Sequence, residues 1–213
     1  MDTRKYTGEI FRFIVLTPHR DALNQLYEYR KKLFSAGFSG AYSFPATAPL
    51  ALVSSAFSPH ELKELARKLR LLTLKSDGKI QSNGTTFAPC PDGFGLSIPA
   101  CEKKPAEQVL FFGPRLNLTP DAPGDTLFPE TTRKKILFTF SPPILCAALV
   151  GSESIKGLQE PPHYTTPAFS FRAAALANLS IRLLGEGENP CSFEWKMSPP
   201  IWLPVFKKEE PKR

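Results

Sequence analysis

No stretch of this chain approaches the ~18 consecutive apolar residues that a membrane-spanning helix needs, so none is expected. The opening Met1-Asp2-Thr3-Arg4-Lys5-Tyr6 has no apolar h-region and no small-residue cleavage site. A secretory signal is therefore not expected, and the location that follows is cytoplasmic. Cysteine is sparse: Cys90, Cys101, Cys146 and Cys191 lie far apart, without metal-ligand spacing. That pattern predicts reduced thiols and excludes the disulfide framework of small secreted domains. Histidine occurs three times and methionine twice, and acidic residues form no cluster. No metal site and no cofactor are expected.

What is present suits a folded chain. Hydrophobic residues make up 42% and charged residues 22%, which is ordinary for a globular protein. Seventeen Phe supply core material. The 22 Pro are about double the usual ~5% share. They fall between strand-like runs, which predicts a compact fold with many fixed loops. A length of 213 residues accommodates one large domain or two small lobes. The net charge of +7 permits attraction to nucleic acid or another polyanion. Part of it belongs to the mixed-sign tail at 207–213, expected as a solvated end of a single domain over 1–206.

The order of elements is legible in part. Ile10 to Leu16 is a nearly continuous apolar run, typical of an inner strand. Thr17-Pro18 follows, with Pro18 expected at the first helical position. Leu23, Leu26, Tyr27, Arg30, Leu33 and Phe34 recur at helical spacing, and Gly37 supplies the stop. A short strand is expected at Leu50 to Val53. Ser58-Pro59-His60-Glu61 is a capping box opening a second helix. Its buried stripe is Leu62, Leu65, Ala66, Leu69 and Leu72. Strands are expected at Lys79–Phe87, Gly93–Ile98 and Lys135–Phe140, with a loop at Pro114–Pro129. Ile144 to Val150 reads as strand or short helix. Phe169–Arg172, Leu176–Leu184, Ser192–Lys196 and Ile201–Val205 read as closing strands, the last two carrying both tryptophans. This order predicts an α+β fold.

Two segments give the order a family likeness. Arg12-Phe13-Ile14-Val15-Leu16-Thr17-Pro18 and Ser58-Pro59-His60-Glu61-Leu62 resemble the first strand and second helix opening of the two-histidine phosphoesterases. That superfamily includes RNA-ligase-like proteins and cyclic phosphodiesterases. The resemblance is carried mostly by about residues 9–74. It implies two lobes of antiparallel sheet with helices packed outside. It also implies paired His-x-Thr motifs on two strands, one histidine as general base and the other as general acid on a phosphodiester. At the first motif position this chain has Pro49 and Ala51, which neither transfer a proton nor donate to phosphate. At the second it has Asn178 and Ser180, followed by Arg182. A competing placement is His163 and Thr165 in Pro162-His163-Tyr164-Thr165, whose flanking prolines read as loop.

The expectation is therefore a non-catalytic member of the fold that binds RNA or a phosphate-containing small molecule in the residual cleft. Asn178, Ser180, Arg182, Arg12 and Arg172 are the candidate ligand-binding residues, because guanidinium, amide and hydroxyl groups all donate to oxyanions. The alternative is an active 2′,3′-cyclic phosphodiesterase or RNA end-processing enzyme using His163 and Thr165. His19 and His60 sit at helix starts and are expected to be exposed or capping. The basic run Lys63, Arg67, Lys68 and Arg70 is expected to be a solvated helix face.

Overall fold

Ile10–Pro18 forms strand β2, and its alternation sets the architecture. Phe11, Phe13 and Val15 enter one hydrophobic cluster, while Ile14 and Leu16 enter another on the opposite face. A strand covered on both faces has no reason to alternate apolar with polar residues, which is why its sequence is a continuous apolar run. The computed structural model describes residues 5–6, 10–37, 39–75, 87–89, 94–98, 107–114, 128, 130–140, 144–151, 171–183 and 191–202. The strand from Lys79 is outside these residues as far as residue 86, and the 207–213 tail is outside them entirely.

β2 lies in a six-stranded sheet with the order β10 (Cys191–Met197), β9 (Phe171–Leu183), β2, β3 (Ala48–Val53) and β7 (Ile136–Thr139). β11 (Ile201–Trp202) also pairs with β9. Every pairing in this sheet is antiparallel. The second sheet runs β1 (Lys5–Tyr6), β5 (Gly95–Ile98), β6 (Glu107–Pro114), β4 (Phe87–Pro89), with β8 (Ala148–Gly151) against β6. It is antiparallel apart from the β1–β5 pair, which is parallel.

The two sheets meet across phenylalanine. Phe13 stands edge-on to Phe44 at 5.4 Å and to Phe111 at 5.3 Å between ring centroids. Phe94 and Phe140 close the group, 4.8 Å from each other. Such pairs contribute about 0.5–1.5 kcal/mol each beyond simple burial. The other cluster gathers helices α1 (Arg20–Ser35) and α2 (Pro59–Lys75). Leu26 and Leu33 of α1 and Leu62, Leu65 and Ala66 of α2 belong to it, as do Ala174 and Leu176 of β9. The fold is thus α+β, with largely antiparallel sheets and few helices. Among the described residues no helix is long and apolar enough to cross a membrane.

Local chemistry explains most boundaries. At α2 the Ser58 N–H donates to Glu61 Oε2 at 2.7 Å, and the Glu61 N–H donates to Ser58 Oγ at 3.2 Å. This is the capping box expected from sequence. Gly37, with φ +94°, follows the end of α1 in a conformation that side chains resist. Pro18 departs from expectation: it does not start the helix. Thr17 pairs with Ala173 and Pro18 with Phe171, so the strand runs on and α1 begins at Arg20. Pairing with β9 outweighs the local preference of proline. The described parts of Phe169–Arg172 and Leu176–Leu184, read as separate runs, belong to one 13-residue strand from Phe171 to Leu183. β6 occupies a segment where the sequence reading placed no strand.

One buried cation ties α1 to the sheets. Arg30 is 2% exposed, and its Nη1 donates to Phe44 O at 2.8 Å and its Nη2 to Cys146 O at 2.6 Å. No carboxylate pairs with it among the described residues, and burial lowers its pKa from the ordinary value. The free Cys146 thiol is pushed up to about 12, also by burial, which makes it an inert core group.

Two outcomes follow for stability. Phe13→Ala removes the ring that touches Phe44, Phe94, Phe111 and Phe140. It is expected to cost about 3–5 kcal/mol, measured as a lowered urea midpoint. Glu61 is held below the usual carboxyl pKa first by Lys135, 2.9 Å away, and then by the Ser58 N–H. A carboxyl lowered in the folded state stabilises above its unfolded pKa, and that contribution disappears as pH falls through the folded value. Glu61→Gln keeps the capping reach and deletes the charge. It is expected to cost about 0.2–1 kcal/mol near pH 7 and progressively less as the pH falls through the lowered folded pKa, followed by denaturation across acid pH.

Candidate functional site

The two positions expected to replace the first catalytic motif do not share a face. Val15 pairs with Pro49 and Ile14 with Ala51, with a register shift between them. Leu50 is the extra residue. The bulge breaks the period-two alternation, so Pro49 lies on the side of Val15 and Ala51 on the side of Ile14. Both are buried, and neither is titratable.

Asn178 and Ser180 lie on a regular part of β9 and do share a face. Asn178 sits opposite Arg12 on β2 and Lys196 on β10. Ser180 sits opposite Ile10 and Glu194. This face also carries Ala174 and Leu176, so it is the helix side of the sheet, not the side that meets the second sheet. Asn178, Lys196 and Glu194 are exposed, while Arg12 and Ser180 are half-buried. Arg12, Asn178 and Lys196 therefore form a polar row across three strands, spanning roughly 10 Å at the usual strand spacing. Arg182 is opposite Ser192 on the same two strands, but its side chain is outside the described residues.

Arg172 is not part of that row. Thr17 pairs with Ala173 and Pro18 with Phe171, which leaves Arg172 as the unpaired residue of a bulge. The consequence is visible in Phe171, an odd-numbered residue that joins Ala174 and Leu176 in the helix-side cluster. Bulges of this kind re-aim a side chain. The guanidinium of Arg172 lies over the Trp202 ring, 5.2 Å from its centroid. Both line a cavity of about 220 Å³, together with Thr17, Tyr27, Thr47 and Trp195. Trp195 pairs with Leu179, and Trp202 with Ala173. Leu179 belongs to the phenylalanine cluster, so the cavity continues the face that packs on the second sheet.

No protein-family model, no curated protein and no solved structure matches this chain. Function therefore has to be read from the geometry. The described lining of the cavity contains no His, Asp, Glu, Cys or Lys. Among these described lining residues there is no general base poised near neutral pH. His19 precedes α1 without a side-chain capping bond, and His60 is exposed in the first turn of α2. His163 and Thr165 are outside the described residues. Among the described residues, no three His, Cys, Asp or Glu come together as a metal site.

Two polar atoms in the cavity wall are left over. The Oγ1 of Thr17 and the Nε of Arg172 are buried without a hydrogen-bond partner among the described residues. Buried polar groups are usually paired, because leaving one unpaired costs about 1–3 kcal/mol. Sequence reasoning named Arg172 but had no means of finding Thr17, Tyr27 or Thr47, which meet only through the chain's return at β9. If the Thr17 hydroxyl is unpaired in the free protein, its loss carries no penalty. Thr17→Val keeps the shape and is expected to leave the thermal midpoint unchanged or to raise stability by up to about 1 kcal/mol. A drop in the melting temperature of the ligand-free protein would reveal an internal partner for that hydroxyl.

Proposed function

We propose that this chain is a binding member of the two-histidine phosphoesterase fold that does not turn over phosphodiesters, and that it holds the phosphates of RNA. The contact surface is the polar row of Arg12, Asn178 and Lys196, with Ser180 beside it. One observation carries the reading: these three donors, two of them cationic, are cross-strand neighbours on a single accessible sheet face. A guanidinium and an ammonium flanking an amide match phosphate oxygens with charge-assisted hydrogen bonds. The overall charge of +7 favours the encounter. Glu194, on the next row, opposes it in part and limits the affinity. The positions corresponding to the two catalytic histidines are Pro49 and Asn178, which supply no acid–base pair.

The test is fluorescence anisotropy with a short single-stranded RNA. Two or three phosphate contacts predict a loss of roughly tenfold in affinity between about 50 and 200 mM salt. Arg12→Gln and Lys196→Gln are each expected to weaken binding and to flatten the salt dependence by about one contact. Arg182→Ala is expected to weaken it as well, as the charged residue two places after Ser180 on the same strand. Wild-type affinity in all three variants would reduce this face to ordinary sheet surface. Turnover of a 2′,3′-cyclic nucleotide that disappears in His163→Ala would instead establish the enzyme reading.

A further inference from the structure

On the other face of the same sheet, the cavity around Arg172 has features of a separate small-molecule site. Its wall combines apolar side chains with three aromatic rings, Tyr27, Trp195 and Trp202. All three reach solvent, at 43%, 42% and 61% exposure. Large aromatic side chains normally bury their surface, and their concentration around one opening marks a contact surface for planar or apolar groups. Behind its wall, two hydrogen-bonding atoms, Thr17 Oγ1 and Arg172 Nε, are buried without a partner among the described residues. No carboxylate pairs with Arg172 among the described residues, so its charge is uncompensated there.

These features together select a ligand. We propose that the cavity binds a single planar ring bearing an oxyanion, either a carboxylate or a phosphate. The oxyanion accepts from the Arg172 guanidinium, with the Thr17 hydroxyl in the same wall. The ring packs among Trp195, Trp202 and Tyr27. The volume sets the size: about 220 Å³ is below the ~300–1,000 Å³ typical of drug-sized pockets and holds roughly seven waters. That is room for one substituted ring and not for a run of nucleotides. The charge sets the sign. An aromatic cage of this kind otherwise suits a quaternary ammonium, but Arg172 inside it repels a cation.

The chain contains only two tryptophans, and both line the cavity, so their two indole N–H signals report on it directly. The experiment is an NMR titration of the full chain with benzoate, phenyl phosphate, inorganic phosphate, benzyl alcohol and benzylamine. Benzoate or phenyl phosphate is expected to shift both indole signals saturably, with millimolar affinity or tighter. The stronger of the two identifies the oxyanion. Benzyl alcohol, benzylamine and inorganic phosphate are expected to bind at least tenfold more weakly. Arg172→Gln is expected to weaken the favoured anion at least tenfold while the amide spectrum remains that of the folded protein, and Arg172→Lys to weaken it less. Arg12→Gln, on the opposite face, is expected to leave this binding unchanged, so failure here and failure of the RNA reading are separable. The proposal is overturned by no saturable shift with either ring-bearing anion, or by equal affinity for benzyl alcohol. Inorganic phosphate binding as tightly as phenyl phosphate, or full affinity in Arg172→Gln, would overturn it as well.

Discussion

Everything in this molecule leans on the contact between two sheets through Phe13. That ring touches Phe44, Phe94, Phe111 and Phe140, which come from four separate stretches of chain. Because interiors pack as densely as organic crystals, a ring in this position leaves no space for a polar cleft at the centre of the interface. This chain has filled the space with hydrocarbon.

The two arginines that matter most show how the same group serves opposite ends. Arg30 is nearly inaccessible, and two of its nitrogens are satisfied by the carbonyls of Phe44 and Cys146. Backbone carbonyls solvate the cation without needing a buried carboxylate, and the bonds pin α1 to two distant stretches of chain. The packing there is close: a Cβ at Gly40 would collide with the carbonyl of Leu149. Arg172 has its guanidinium over the Trp202 ring and its Nε unpaired among the described residues. Each leaves its Nε without a partner among the described residues, but the first arginine sits in the core and the second beside a cavity.

Both candidate surfaces are made by departures from regular strand geometry or by its strict observance. Asn178, Arg12 and Lys196 align because β9, β2 and β10 are in unbroken register at that level. Arg172 reaches the other face because one extra residue sits in β9 opposite Thr17 and Pro18. The bulge in β3 has the same kind of effect, separating Pro49 from Ala51. A one-residue slip moves every following side chain to the other face, so these two bulges decide which residues meet.

The sequence by itself determined the class of fold, the start of α2, the stop of α1 at Gly37 and the inner character of β2. These follow from near-neighbour physics: a capping box at Ser58 and Glu61, helical periodicity, and a continuous apolar run that only a doubly buried strand tolerates. β6 carried a comparable signal, the apolar run Val109 to Phe112 closed by Gly113 and Pro114, which sequence reading passed over. The tertiary structure alone decided that Thr17 and Pro18 continue a strand, that Arg172 stands apart from Arg12 and Asn178, and that two tryptophans and a tyrosine surround it. Those outcomes depend on cross-strand register and on two bulges. Register is set by the summed packing of residues more than a hundred positions apart, which no local pattern encodes.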